Sequence, residues 1–308
     1  MTKWTAEDIP DLEGTKVIVT GANSGLGFEA SKMFAENNAE VIMACRSIER
    51  GKEAKEEIEE EVENTELEVR KLNLADLKSV QDFAEEFKAN HKELDILCNN
   101  AGIMAIPKEE TKDGFEKQLG VNHLGHFALT AKLFPSLKKA DKATVVNQSS
   151  GLHKRGEIDF DDLMHEEKYS PNQAYADSKL ANLLFTYELE RKIKEKDLPI
   201  RSVACHPGYA ATNLQKRSAE KSGNKIKKYT MEAMNRVLAQ SAEVGALPMI
   251  YAAVAEDVDG GDYIGPNGLM NMRGHPEKQE SSKASHNEET AEKLWNISEE
   301  LTEIDFEI

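Results

Sequence analysis

Cysteine is scarce in this chain: Cys45, Cys98 and Cys205 are the only three in 308 residues, far apart and without a CxxC pair. That argues against a disulfide framework or a thiolate zinc site, and for reduced thiols in a cytosol. Long apolar runs are missing too. Nothing approaches the roughly 20 consecutive apolar residues that a membrane span needs, so no integral membrane segment is expected. The opening segment, MTKWTAEDIPDLEG, is polar and acidic and reads as neither signal peptide nor anchor. Basic charge is in deficit: the net charge of −17 argues against nucleic acid or an anionic membrane as partner. No HExxH and no Cys/His cluster accompanies His123, His126, His153, His165 and His206, so these read as structural or rim histidines and no metal site is expected. Low-complexity segments, internal repeats and domain linkers are also absent. The chain therefore reads as one cytoplasmic domain over 1–308, with an insertion near 212–240 and an extension after 266.

What is present is alternation. TKVIVT (15–20), EVIMAC (40–45), LEVRKLNL (67–74), LDILCNN (94–100), ATVVNQSS (143–150), IRSVACHPG (200–208) and GDYIG (261–265) read as strands. Between them lie helical patterns, including an acidic amphipathic one with Ala54, Ile58 and Val62 inward, a long one over 114–137, and one over 172–196. Strands alternating with helices predict a doubly wound α/β fold: a mostly parallel, seven-stranded sheet with helices on both faces. A last helix is expected to pack Leu294, Trp295 and Ile297 inward.

Three short stretches carry chemistry. TGANSGLG (20–27) follows the first strand and opens a helix, with glycines at 21, 25 and 27. Glycines there permit a tight turn and close approach of a pyrophosphate, which the helix N-terminus then favours. The second strand ends ACR, with no acidic residue to bind a ribose 2′-hydroxyl but with Arg46 to meet a 2′-phosphate, so NADP(H) is favoured over NAD(H). YADSK (175–179) puts Tyr175 and Lys179 one helical turn apart. A lysine so placed favours a phenolate, bringing a tyrosine pKa of about 10 toward a useful range. Taken alone, such a pair is as readily an exposed helical pair.

With NNAG (99–102), QSS (148–150) and HPG (206–208) in order at strand ends, the set resembles the short-chain dehydrogenase/reductase family. ACRSIERG, VNHLGHFALT and YADSKLANLLF look most like its subgroup of retinol dehydrogenases, WW-domain oxidoreductases and protochlorophyllide reductases. The resemblance implies Tyr175 as general acid/base and Lys179 as its partner at the nicotinamide ribose. Of Ser149 and Ser150, the second matches the family's substrate-oxygen serine. Asn122 matches the asparagine of a proton relay. Gly21, Asn23, Ser24, Gly25, Leu26 and Gly27 would border the cofactor, and Asn100, Ala101 and Gly102 would line its adenosine side. Pro207, Gly208 and Thr212 would meet the nicotinamide end. Asn73 stands where many members carry aspartate, and with Leu74 would face adenine.

The resemblance further implies hydride transfer between NADP(H) and a carbonyl/alcohol pair, with a hydrophobic aldehyde, ketone or alcohol as small-molecule substrate. Two other readings stay open: a light-dependent double-bond reductase, and an NADP-sensing interaction protein without turnover. Both a monomer and a homo-oligomer stay open. Met231, Met234, Val237 and Leu238 fall in the family's variable substrate lid, and KRSAEKSGNKIKK (216–228) reads as its basic edge.

Overall fold

Strands rich in Val, Ile and Met with no polar alternation can be buried on both faces, as parallel sheets require. The computed structural model describes residues 3–209 and 240–308. Eight strands, β1 (Lys16–Thr20), β2 (Glu40–Cys45), β3 (Glu66–Lys71), β4 (Ile96–Asn99), β5 (Ala143–Gln148), β6 (Ile200–Cys205), β7 (Tyr263–Pro266) and β8 (Pro276–Gln279), form one sheet. Their order is β3-β2-β1-β4-β5-β6-β7-β8. Every neighbouring pair is parallel except β7–β8. The two-residue period divides the strand side chains between two cores. Val17, Val19, Val41, Met43, Cys98 and Val146 pack with Phe34 of α1 (Leu26–Glu36) and Ile250 of α7 (Ala242–Val254). Ile18, Ile42, Leu97 and Val145 pack on the other face with Phe83 of α3 (Leu77–Asn90), Phe127 of α5 (Gly125–Leu137) and Leu189 of α6 (Pro171–Glu195).

The sheet has one strand more than expected. β8 reads PEKQ, four residues of which two are charged, and it pairs antiparallel on the sheet's edge. A short, charged edge strand buries too little apolar surface to leave a pattern in sequence. The helix expected over 114–137 is also interrupted. α4 (Lys117–Leu119) passes into a π turn, Gly120–Leu124, before α5 begins. Such turns insert one residue into the ladder and are enriched at functional sites.

α2 (Ile48–Glu61) buries Ala54 and Ile58 as its spacing predicted. α6 is capped by Ser170, whose hydroxyl accepts from the Gln173 N–H, with Pro171 opening the helix. α8 (Glu288–Thr302) buries Leu294 and Trp295, with Ile297 half-buried. Trp295 lies 5.1 Å from Phe127, 5.8 Å from Phe185 and 4.7 Å from Phe306, ring centre to ring centre. The strand order reverses between β1 and β4, so a crevice opens beyond their C-terminal ends.

Candidate active site

The turn after β1 is shaped by two glycines. Gly21 has φ +70°, in the left-handed region. A Cβ on Gly27 would stand 2.5 Å from the Gly21 carbonyl oxygen and 2.6 Å from Asn100 Nδ2, so no larger residue fits. Thr20 locks this turn to the loop after β4. Its hydroxyl accepts the N–H groups of Asn100 and Ala101, each at 2.9 Å, while Asn100 Nδ2 donates to the Thr20 carbonyl at 2.7 Å. The first turn of α1 has no side-chain cap, so its N–H groups can receive an anion.

A cleft of about 960 Å³ runs from this turn across the sheet ends. Gly21, Asn23, Ser24, Gly25, Leu26, Gly27, Arg46, Asn73, Leu74, Asn100, Ala101, Gly102, Ser150, Tyr175, Lys179, Pro207 and Gly208, all singled out from sequence, line it. Thr212, the lid residues 212–239 and the basic stretch 216–228 lie outside the described residues. Asn122 is not on the cleft wall. It is fully buried in the π turn, where its Oδ1 accepts from Ile103 N–H at 2.9 Å. Its Nδ2 donates to the Ile103 carbonyl at 3.0 Å and to Ser178 Oγ at 2.9 Å. It thus clamps the loop after β4 onto α6.

The structure separates the two serines. Ser149 Oγ is buried and donates to the Lys179 carbonyl at 2.8 Å. Ser150 lines the cleft, and its hydroxyl hydrogen-bonds toward the Tyr175 phenol, holding that pKa down. Burial outweighs this and pushes the phenol up to about 12. The direction is opposite to the one expected from the lysine. Lys179 is itself desolvated, 3% exposed, and its pKa falls to about 8. Its Nζ donates to the Gln148 carbonyl at 2.9 Å and stands 5.9 Å from the centre of the Tyr175 ring. An ammonium spent on a carbonyl, over the ring and not at the hydroxyl, does little for a phenolate in this arrangement.

The histidines serve separate elements. His123 Nε2 meets Ser298 Oγ at 2.9 Å, while His126 Nε2 meets Thr20 Oγ1 at 3.0 Å. Arg50, Met270 and Tyr263 are among the lining residues that were not anticipated. Arg50, in the first turn of α2, follows Arg46 by four residues, a spacing visible in ACRSIERG. Met270 and Tyr263 come from the β7–β8 region and gave no local signal. Met270 (77% exposed) and Leu152 (37%) are the exposed large hydrophobics among the described residues, and both border the cleft.

Taken together, these residues fit a dinucleotide: a side-chain-free cradle at Gly21 and Gly27, an uncapped helix end, Arg46 just after β2 with Arg50 in the first turn of α2, and a buried lysine across the cleft. Comparison with known proteins agrees. The family profile "short chain dehydrogenase" matches residues 15–223. Retinol dehydrogenase 12 of Mus musculus is 39% identical over 301 residues, covering 96% of this chain and 89% of that protein. Retinol dehydrogenase 13 of Homo sapiens is 39% identical over 293 residues, covering 94% and 85%. A crystal structure of an uncharacterised protein from Mycobacterium paratuberculosis superposes with a TM-score of 0.82 at 39% identity, covering all of both chains. A candidate NAD(P)-dependent gluconate 5-dehydrogenase from Beutenbergia cavernae, solved with NADP at low occupancy, gives 0.62 at 25% identity, over 79% of this chain and 91% of that one.

Proposed function

The chain belongs to the short-chain dehydrogenase family of oxidoreductases, and from that membership we propose that it transfers hydride between NADP(H) and a carbonyl/alcohol pair on a hydrophobic aldehyde, ketone or alcohol. The observation that carries this reading is the convergence of Ser150, Tyr175 and Lys179 on one wall of a cleft whose far end is the glycine turn. When bound, the nicotinamide supplies or accepts the hydride.

The chain's own residues do the rest. The Gly21–Gly27 turn and the start of α1 receive the pyrophosphate. Arg46 meets the 2′-phosphate, as no acidic side chain ends β2. Asn100, Ala101 and Gly102 border the adenosine side, and Pro207 and Gly208 the nicotinamide side. A phenol near pKa 12 is protonated at neutral pH, which suits Tyr175 to give its proton to a carbonyl oxygen. Ser150 donates a hydrogen bond to that same oxygen and steadies its developing charge. Lys179 holds the ribose side, and Asn122 positions the loop and helix that carry them. The apolar rim of Leu152 and Met270, together with relatives named retinol dehydrogenases, supports a hydrophobic substrate.

The test is NADPH consumption in the dark against aliphatic, aromatic and polyene aldehydes and ketones, with Tyr175→Phe alongside. Turnover lost in the variant is expected. Equal turnover in both proteins would overturn the role given to Tyr175, and NADPH binding without any turnover would overturn the carbonyl reading.

A further inference from the structure

The chamber holds a second tyrosine. Tyr263, at the start of β7, is 3% exposed and lines the cleft. It shares that cleft with Tyr175. Two imidazoles hold its ring: His206 stacks on it at 5.1 Å and 25°, and His153 meets it edge-on at 5.4 Å and 84°. A buried phenol so placed normally gives its proton to a neighbour, and the imidazoles are the obvious acceptors.

Neither can accept. The Ser282 N–H donates to His153 Nε2 at 3.1 Å, so that nitrogen carries no proton. The proton sits on Nδ1, which faces the Ser150 carbonyl at 2.7 Å. Tyr263 Oη lies 3.4 Å from the same Nδ1 and can only receive a weak share of that N–H. At His206, the Gly208 N–H donates to Nδ1 at 3.2 Å, so Nε2 carries the proton and gives it to Gln279 Oε1 at 3.0 Å. Both tautomers are thus fixed by their other neighbours. The hydroxyl proton of Tyr263 has no acceptor among the described residues, at the wall of a cleft.

We propose that Tyr263 donates a hydrogen bond to the substrate, at an oxygen other than the one being reduced. The reacting carbonyl oxygen has two lone pairs, and Ser150 and Tyr175 take both. The third donor therefore addresses a second acceptor, so the favoured substrate is a hydrophobic carbonyl bearing a further hydroxyl, ether or carbonyl oxygen. This inference rests on the carbonyl reading above. His153 is the positioning residue, because one imidazole ties the Ser150 backbone, the Tyr263 ring and the Ser282 segment.

The experiment uses the full chain and paired substrates: plain aldehydes or ketones and analogues with one added oxygen. Wild type, Tyr263→Phe and Tyr175→Phe are compared, with the NADPH Kd measured for each. Phenylalanine keeps the ring between the two imidazoles, so the variant tests the hydroxyl alone. Wild type is expected to prefer the oxygen-bearing member. Tyr263→Phe is expected to lower that preference about tenfold, through KM more than kcat, with the Kd for NADPH unchanged. A preference unaltered in Tyr263→Phe, or a Kd shifted as much as KM, would overturn the assignment. Wild type that reduces neither member of any pair would instead bring down the carbonyl reading, and this inference with it.

Discussion

The two ends of the cleft are built in different ways. At the nucleotide end, identity is dictated by the backbone: Gly27 because any Cβ would strike Gly21, and Thr20 because its hydroxyl serves two N–H groups of the loop after β4. At the end proposed for substrate, identity is dictated by side chains from distant elements: His153 from the loop after β5, His206 from the end of β6, Tyr263 from β7 and Gln279 from β8. One end tolerates few residues in any chain of this fold. The other rests on side chains carried by the late strands β7 and β8 and the end of β6. Under the proposed function, cofactor binding and choice of substrate rest on separate sets of residues.

That separation can be broken in order of effect. Tyr175→Phe should abolish turnover by about a thousandfold, the middle of the range for a lost general acid, while NADPH still binds; steady-state kinetics beside calorimetric titration checks both. Gly27→Ala should act at the other end only. Overpacking against backbone costs about 1–3 kcal/mol, so the NADPH Kd should rise roughly 5- to 150-fold with the substrate preference intact. Arg46→Ala and Arg50→Ala should each weaken NADPH about tenfold while leaving NADH nearly unaffected, as loss of a charge-assisted contact to one phosphate predicts. A parallel loss for both cofactors would show that neither arginine reads the 2′-phosphate.

The smallest effect is on stability. Burial lowers the Lys179 pKa from 10.5 to about 8. Below pH 8 the folded chain carries a desolvated ammonium. Between pH 8 and 10.5 the unfolded chain keeps a proton that the folded chain has shed, so stability rises with pH across that window. Lys179→Met removes the charge, and the Gln148 carbonyl keeps Asn182 Nδ2 as a donor at 3.0 Å. The variant should therefore be inactive yet melt a few degrees above wild type at pH 7, with the gap narrowing from pH 8 to 10. A variant that melts lower at pH 7 would mean that the lysine stabilises the fold.

Legibility in the sequence follows the same division. β2 runs over Glu40–Cys45, as its apolar run indicates, and the sheet, glycine turn and Tyr175–Lys179 spacing are local patterns with period or identity. The β8 edge strand is not, because Pro276 is the only one of its four residues that is buried. The π turn at Asn122 is not either, since apolar spacing continues through it. The direction of the Tyr175 pKa was beyond reach for another reason. Spacing places the lysine, but the phenol's solvation depends on walls contributed by segments far along the chain. Ser149 and Ser150 differ only in which way each hydroxyl faces, and that is decided by α6.

The aromatic packing at α8 bears on the order in which the protein is made. Phe306 lies 5.4 Å from Phe127 and 5.2 Å from Phe134, and Ser282 holds His153. These partners leave the ribosome long before the segments that cover them. Until the C-terminal segment is made, the face of α5 that Phe306 covers stays bare and His153 lacks the Ser282 N–H. A chain cut short before α8 therefore exposes apolar surface of the kind that promotes aggregation.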